Sequence, residues 1–190
     1  MAFLKKLKHH GFTLRADKCK FFRTKVKLLG HMVTGQGVAP CPEITNKVEE
    51  FRNFTTVKQM QSFLGLVGYY RQYIPAFAQV TTPLRDAMEA GKATKGKTII
   101  WSEECEAARL KLVNALQQGP PHGPLMHPDF NQPFRIAADG CVKPGGVGAI
   151  LEQEAPAPAP PGTFRQVAYC SKALTALQRA WDVSRIEAYG

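Results

Sequence analysis

The chemistry open to this chain begins with charge. Nine cations (Lys5, Lys6, Lys8, Arg15, Lys18, Lys20, Arg23, Lys25 and Lys27) stand in the first thirty residues against Asp17 alone, and the rest of the 190-residue chain, whose formal net charge is +10, is nearly balanced. A cluster of this density can neutralise phosphates with release of counterions, settle on an anionic membrane surface, or serve as a solvated face. Acidic candidates are sparser. Asp139 ends the strand-like run Phe134-Arg135-Ile136-Ala137-Ala138, where a lone carboxylate is either a cap or turn residue or an oxygen ligand for a hard cation. His31, His9 and His10 have no evident partner for proton transfer, so His31 reads as structural and the other two as surface residues. Cys19, Cys41, Cys105, Cys141 and Cys170 are scattered without a C-x-x-C pair, which supports neither a zinc site nor a disulfide framework and leaves reduced thiols.

Periodicity indicates the elements that must position these groups. Met60, Phe63, Leu64, Val67, Tyr70 and Ile74 recur at three- and four-residue steps and predict one buried helix face, with Lys58, Gln61, Ser62, Gln72 and the tip of Arg71 outward. Gly65 and Gly68 each cost such a helix about 1 kcal/mol relative to alanine, which a surface of close approach would explain. Thr56-Val57-Lys58-Gln59 has the form of a capping box at its start. Ahead of it, Pro42 to Phe54 is helical by the spacing of Ile44, Val48 and Phe51.

Phe3 to His10 reads as a short helix closed by Gly11, followed by strands at Phe12–Leu14 and Lys18–Phe22 and further strands through Val26, Leu28, Leu29, Met32 and Val33. Gly91 to Lys97 reads as a connector. Ser102 is the N-cap of a helix that carries Ala107, Leu110, Leu112, Val113 and Leu116, and Gly119 to Pro128 is a boundary. Strands follow at Phe134–Asp139, Gly145–Leu151 and Arg165–Tyr169, with the alanine-proline run Ala155 to Pro161 as an extended loop. Thr175 would then cap a last helix that buries Leu177, Trp181 and Ile186. No apolar run approaches the ~20 residues that span a bilayer, and no signal-type block follows the basic start, so a soluble intracellular protein without a membrane partner is expected.

The string Phe63-Leu64-Gly65-Leu66, Tyr69-Tyr70-Arg71, Tyr73-Ile74 and Pro83-Leu84 resembles the thumb of reverse transcriptases from Gypsy-type LTR retrotransposons. Gly11-Phe12-Thr13-Leu14, Lys18-Cys19-Lys20-Phe21, Leu29-Gly30-His31-Met32-Val33 and Gly37-Val38-Ala39-Pro40 resemble the series that follows the polymerase active site in the same family. The resemblance implies an α+β protein, with palm-end β-hairpins over 1–40, a helical thumb over 41–92, a linker and helix over 93–130, and a partial RNase H-like mixed sheet with a helix over 131–190. It implies a primer grip around Leu29, Gly30 and His31, and a thumb helix lying along the minor groove of a template-primer duplex. The candidate nucleic-acid contacts are therefore Lys18, Lys20, Lys25, Lys27, Leu29, Gly30, His31, Gln61, Gly65, Gly68 and Arg71.

Further on, Ala138-Asp139-Gly140-Cys141, Gly146-Val147-Gly148-Ala149-Ile150-Leu151-Glu152-Gln153 and Val167-Ala168-Tyr169-Cys170-Ser171 resemble the opening of the retroelement ribonuclease H domain. That likeness implies Asp139 and Glu187 as the first two carboxylates of a two-Mg²⁺ site, in which ions about 4 Å apart activate water and stabilise the leaving oxygen. The family's Y-x-D-D pair and its two later acids have no counterpart in the sequence, so an inactive fragment of a Pol polyprotein is expected. Its partners would be RNA–DNA hybrid or duplex DNA and the remainder of Pol, in a cytoplasmic particle or the nucleus. The competing readings are a non-catalytic interaction module from a truncated or domesticated element and a decayed reading frame.

Overall fold

The computed structural model describes residues 2–52, 54–94, 96–120, 123–141, 145–175 and 177–189. Helix α1 (Ala2–His9) closes on Gly11 at φ +73 and buries none of its residues. The two strands expected at Phe12–Leu14 and Lys18–Phe22 do not form. A strand needs a neighbour to take its hydrogen bonds, and here local closure takes them instead. Cys19 donates its N–H to Ala16 and its thiol to Arg15, which shapes a 3₁₀ turn over Ala16–Lys18.

Pairing begins at β1 (Lys25–Leu28), which joins β2 (His31–Thr34) and β3 (Gly37–Pro40) in an antiparallel meander. The β1–β2 turn is Leu29-Gly30, with φ +48 and +81. Two successive positive φ values match the right-handed twist of a tight hairpin.

The core lies among helices. Val48 of α2 (Pro42–Glu50) meets Met60, Phe63 and Val67 of α3 (Val57–Tyr69), Leu84 of α5 (Thr82–Ala93), and Leu112, Val113 and Leu116 of α6 (Glu103–Gln118). Phe54 stacks on Trp101 with centroids 4.8 Å apart. The capping box of α3 is present in full, since the Thr56 hydroxyl accepts from Gln59 N–H and Gln59 Oε1 accepts from Thr56 N–H. The helix ends at Tyr69 rather than running on to Ile74. A proline at 75 disfavours helical backbone at Ile74, which is extended at φ −114, and Arg71–Tyr73 tightens to 3₁₀ while Tyr73 and Ile74 stay buried.

Gly91 falls inside α5 and not in a connector. It is buried, and a Cβ there would stand 2.7 Å from the Thr98 carbonyl, so the helix needs a residue without a side chain at this crossing. Ser102 caps α6 through Cys105 N–H as expected.

After α6 the chain joins two sheets. Leu125 exchanges both backbone hydrogen bonds with Val38, at 2.8 and 2.9 Å, and the next residue, Met126, donates to the Gln166 carbonyl. The second sheet has the order β4 (Arg135–Cys141), β5 (Gly146–Glu154), β6 (Phe164–Ala173), with every described pairing antiparallel. Its two faces are covered differently. Gly146 and Gly148 face Gln79 of the short helix α4 (Phe77–Val80), and Ala78 N–H donates to Ser171 Oγ on the same side. Gly140 faces Ile186 of α7 (Val183–Tyr189).

The last helix begins later than its sequence suggests. Thr175 caps only a 3₁₀ turn at Gln178–Ala180, and Asp182 Oδ1 then accepts from Arg185 N–H to start α7. Leu177 is left exposed, Trp181 is half-buried, and Ile186 alone of the three expected anchors is buried. No helix among the described residues is long and apolar enough to cross a membrane.

Candidate nucleic-acid interface

The β1–β2 turn is tied to the end of α3 by side chains from forty residues away. Tyr69 Oη donates to the Leu29 carbonyl at 2.7 Å, and Tyr70 Oη donates to the Gly30 carbonyl at 3.2 Å. Tyr73 Oη lies 2.9 Å from His31 Nδ1, and the His31 ring stacks on Tyr69 at 5.2 Å. Burial lowers the His31 pKa from its ordinary value, which favours the neutral imidazole that can accept from Tyr73. His31 thus packs against three tyrosines in the folded chain. Burial also raises the pKa of Tyr70 and Tyr73, so both keep the protons they share.

Beside this turn, α3 presents Lys58, Gln61, Ser62 and Gly65, all exposed. Nothing lies within 4 Å of a Cβ on Gly65, and at Gly68 the nearest atom, on Phe77, is at an ordinary 3.9 Å. Among the described residues, no packing contact demands either glycine. Arg71 is exposed on the turn after α3. The fold therefore brings Leu29, Gly30 and His31 to the end of the helix that carries Gln61, Gly65 and Gly68, with Arg71 just beyond.

The lysines divide. Lys25 and Lys27 share one side of β1 by strand alternation. Lys27 makes an ion pair with Glu43, a hydrogen bond that raises the lysine pKa and lowers that of the carboxylate. Lys18 and Lys20 are exposed in the segment ahead of β1.

Asp139 and Glu187 are both exposed. Each stands one residue from the contact between Gly140 and Ile186, where a Cβ on the glycine would lie 3.0 Å from the Ile186 carbonyl. Asp139 pairs across the sheet with Gly148, so alternation starts its side chain on the α4 side, from the edge strand β4. Among the described residues no three His, Cys, Asp or Glu gather where they could hold a metal.

In the sequence Tyr69 and Tyr70 belong to the family-like string, and periodicity marks Tyr70 as a core residue, which leaves both hydroxyls without a role. The available signal was the adjacency itself, because neighbouring positions on a helix cannot both face one core.

Comparison with known proteins agrees with this architecture. Residues 101–190 match the RNase H-like domain found in reverse transcriptase. The Pol polyprotein of the transposon gypsy from Drosophila melanogaster is 32% identical over 144 residues, covering 73% of this chain and 14% of the polyprotein. That of transposon 297 from the same organism is 28% identical over 149 residues, covering 78% and 13%.

Among solved structures, the foamy viral protease-reverse transcriptase has the same fold. Its complex with dsDNA gives a TM-score of 0.75 and its complex with RNA/DNA hybrid 0.77, each at 22% identity. They cover 97% and 99% of this chain and 36% and 24% of theirs. These likenesses give the chain a fold shared with a reverse transcriptase, and its second half matches an RNase H-like domain. The chain is similar to one stretch of retrotransposon Pol polyproteins, and it spans 13 to 14% of the two Drosophila relatives.

Proposed function

We propose that the chain binds RNA–DNA hybrid or duplex DNA along a strip running from the basic front through the Leu29-Gly30 turn to the outer face of α3. In a whole Pol polyprotein this binding would support RNA-directed DNA synthesis and RNA-strand hydrolysis. In this reading residues 1–40 are the end of the palm, 41–92 the thumb, 93–130 the linker and 131–190 the RNase H-like part. The observation that carries it is the hydrogen-bonded union of the turn with the end of α3, beside a helix face whose glycines meet no close neighbour among the described residues. The foamy viral enzyme, solved with dsDNA and with RNA/DNA hybrid on the same fold, supports it.

Asp139 and Glu187 are proposed as two carboxylate ligands of the hydrolytic site, with Asp139 reaching it from the α4 face around the open edge of β4. Bound Mg²⁺ would there activate water and stabilise the leaving oxygen. Two exposed acids supply part of the six-oxygen shell that Mg²⁺ demands, and further ligands are needed to fix it. A chain that binds without cleaving would act as a non-catalytic module.

Fluorescence anisotropy of a labelled hybrid tests the proposal. Saturable binding that weakens steeply with salt is expected, with the RNA strand left intact in Mg²⁺. Absence of binding at low salt would overturn it.

A further inference from the structure

The tyrosines at the end of α3 carry an inference about how the proposed interface is set. The Leu29-Gly30 turn holds two successive residues in the left-handed region, at φ +48 and +81, and Leu29 pays a steric penalty there that glycine does not. Such a turn persists where its surroundings fix it. Both of its carbonyls are fixed by hydroxyls from the last residue of α3 and the residue after it, and the residue that follows, His31, is held by a third hydroxyl and by stacking. Leu29 is 79% exposed and Tyr69 51% exposed, so the turn and one of its clamps share an open surface.

We propose that Tyr69, Tyr70 and Tyr73 are positioning residues that lock the β1–β2 turn to α3, so that turn and helix meet nucleic acid as one rigid body. The proposal rests on the nucleic-acid reading above for its ligand, while the lock itself is a property of the free protein. The hydroxyls set the direction of the two carbonyls, and through them where Leu29 projects. A duplex seated on α3 then has its strand end presented to a turn that cannot drift.

Two measurements on the whole chain separate the lock from its use. Tyr69→Phe/Tyr70→Phe keeps both rings and removes both hydroxyls. Amide hydrogen exchange should rise at least tenfold in the peptide covering residues 25–41 and stay unchanged over 146–173. Unchanged exchange at 25–41 would overturn the lock whatever the chain binds.

The second measurement uses an RNA–DNA hybrid carrying 2-aminopurine at the recessed 3′ end or at an internal base. The double variant should lose most of the fluorescence change at the end, keep the internal change, and bind within about twofold of wild type, because phosphate contacts dominate affinity. Equal end signals in the two proteins would overturn the positioning role. Failure of the wild type to bind either duplex would overturn the nucleic-acid reading and leave the exchange result to judge the lock.

Gly30 gives a check on geometry. A Cβ there would stand 2.5 Å from Tyr70 Oη, so the loss of end signal in Gly30→Ala should shrink when Tyr70→Phe is added. Additive losses would contradict the assigned contact.

Discussion

The hydroxyl of Tyr70 lies 2.5 Å from where a Cβ on Gly30 would stand, and it donates to the carbonyl of that same glycine. Gly30→Ala meets that oxygen and must also hold φ +81, so a loss of about 1–3 kcal/mol is expected in urea unfolding. Gly35→Ala, with open space around it and no left-handed φ, should change stability by less than about 0.5 kcal/mol. Equal costs at the two glycines would contradict the close contact.

Gly65→Ala separates folding from binding. Position 65 is inside α3, exposed and unencumbered, so alanine should stabilise the chain by about 0.5–1 kcal/mol. If a phosphate backbone approaches that face, the same methyl should weaken hybrid binding several-fold. A more stable variant with unchanged affinity would remove Gly65 from the interface.

The His31 pKa is lowered in the folded chain, so below the ordinary imidazole value the unfolded state binds a proton that the native state refuses. Stability should therefore fall as pH drops below about 6.5. The loss should level off below the folded-state pKa. His31→Gln should remove this component from a series of melts between pH 7.5 and 5. An unchanged slope would show that His31 is not the group responsible.

Glu106 holds the buried Arg109 and the Trp101 indole N–H, and the bond from Arg109 lowers its carboxyl pKa. A depressed carboxylate contributes stability above its unfolded value and loses it as pH falls through its folded value. Glu106→Gln should cost about 1–2 kcal/mol at pH 7, because solvent screens a carboxylate that is 41% exposed. The difference from wild type should close below about pH 4. A constant difference across that range would point to packing in place of charge.

The elements most legible in the sequence were those whose signals are local. Apolar spacing located α2, α3 and α6, and Thr56 and Ser102 marked two helix starts, because a cap is a contact within one turn. The strands of the second sheet were legible from β-branched and apolar runs between turns. Strand pairing was not. Lys18–Phe22 has the composition of a strand but bonds back on itself. Gly91 looked like a linker residue because nothing nearby in sequence announces Thr98 and Ile99 against it. The helix read from Thr175 was interrupted by Asp182, a second cap within the same apolar pattern.

Of the residues proposed for the interface, the exposure of Gly65 and Arg71 was readable from helical spacing. The tyrosine hydroxyls on Leu29 and Gly30 were not, since those contacts cross forty residues. The relation of Asp139 to Glu187 is likewise tertiary and rests on how α7 lies against β4.

In the proposed complex, cations at the front of the chain meet phosphates. The most direct test is the salt dependence of hybrid binding by wild type and by a variant with Lys18, Lys20, Lys25 and Lys27 all changed to glutamine. Each phosphate contact contributes about 0.9 to the slope of log K against log salt, so four equal contacts would flatten it by about 3.6. The ion pair of Lys27 with Glu43 should reduce that lysine's share, giving a flattening of about 3 with weaker binding at low salt. Equal affinity and equal slope for the two proteins across the titration would contradict the account.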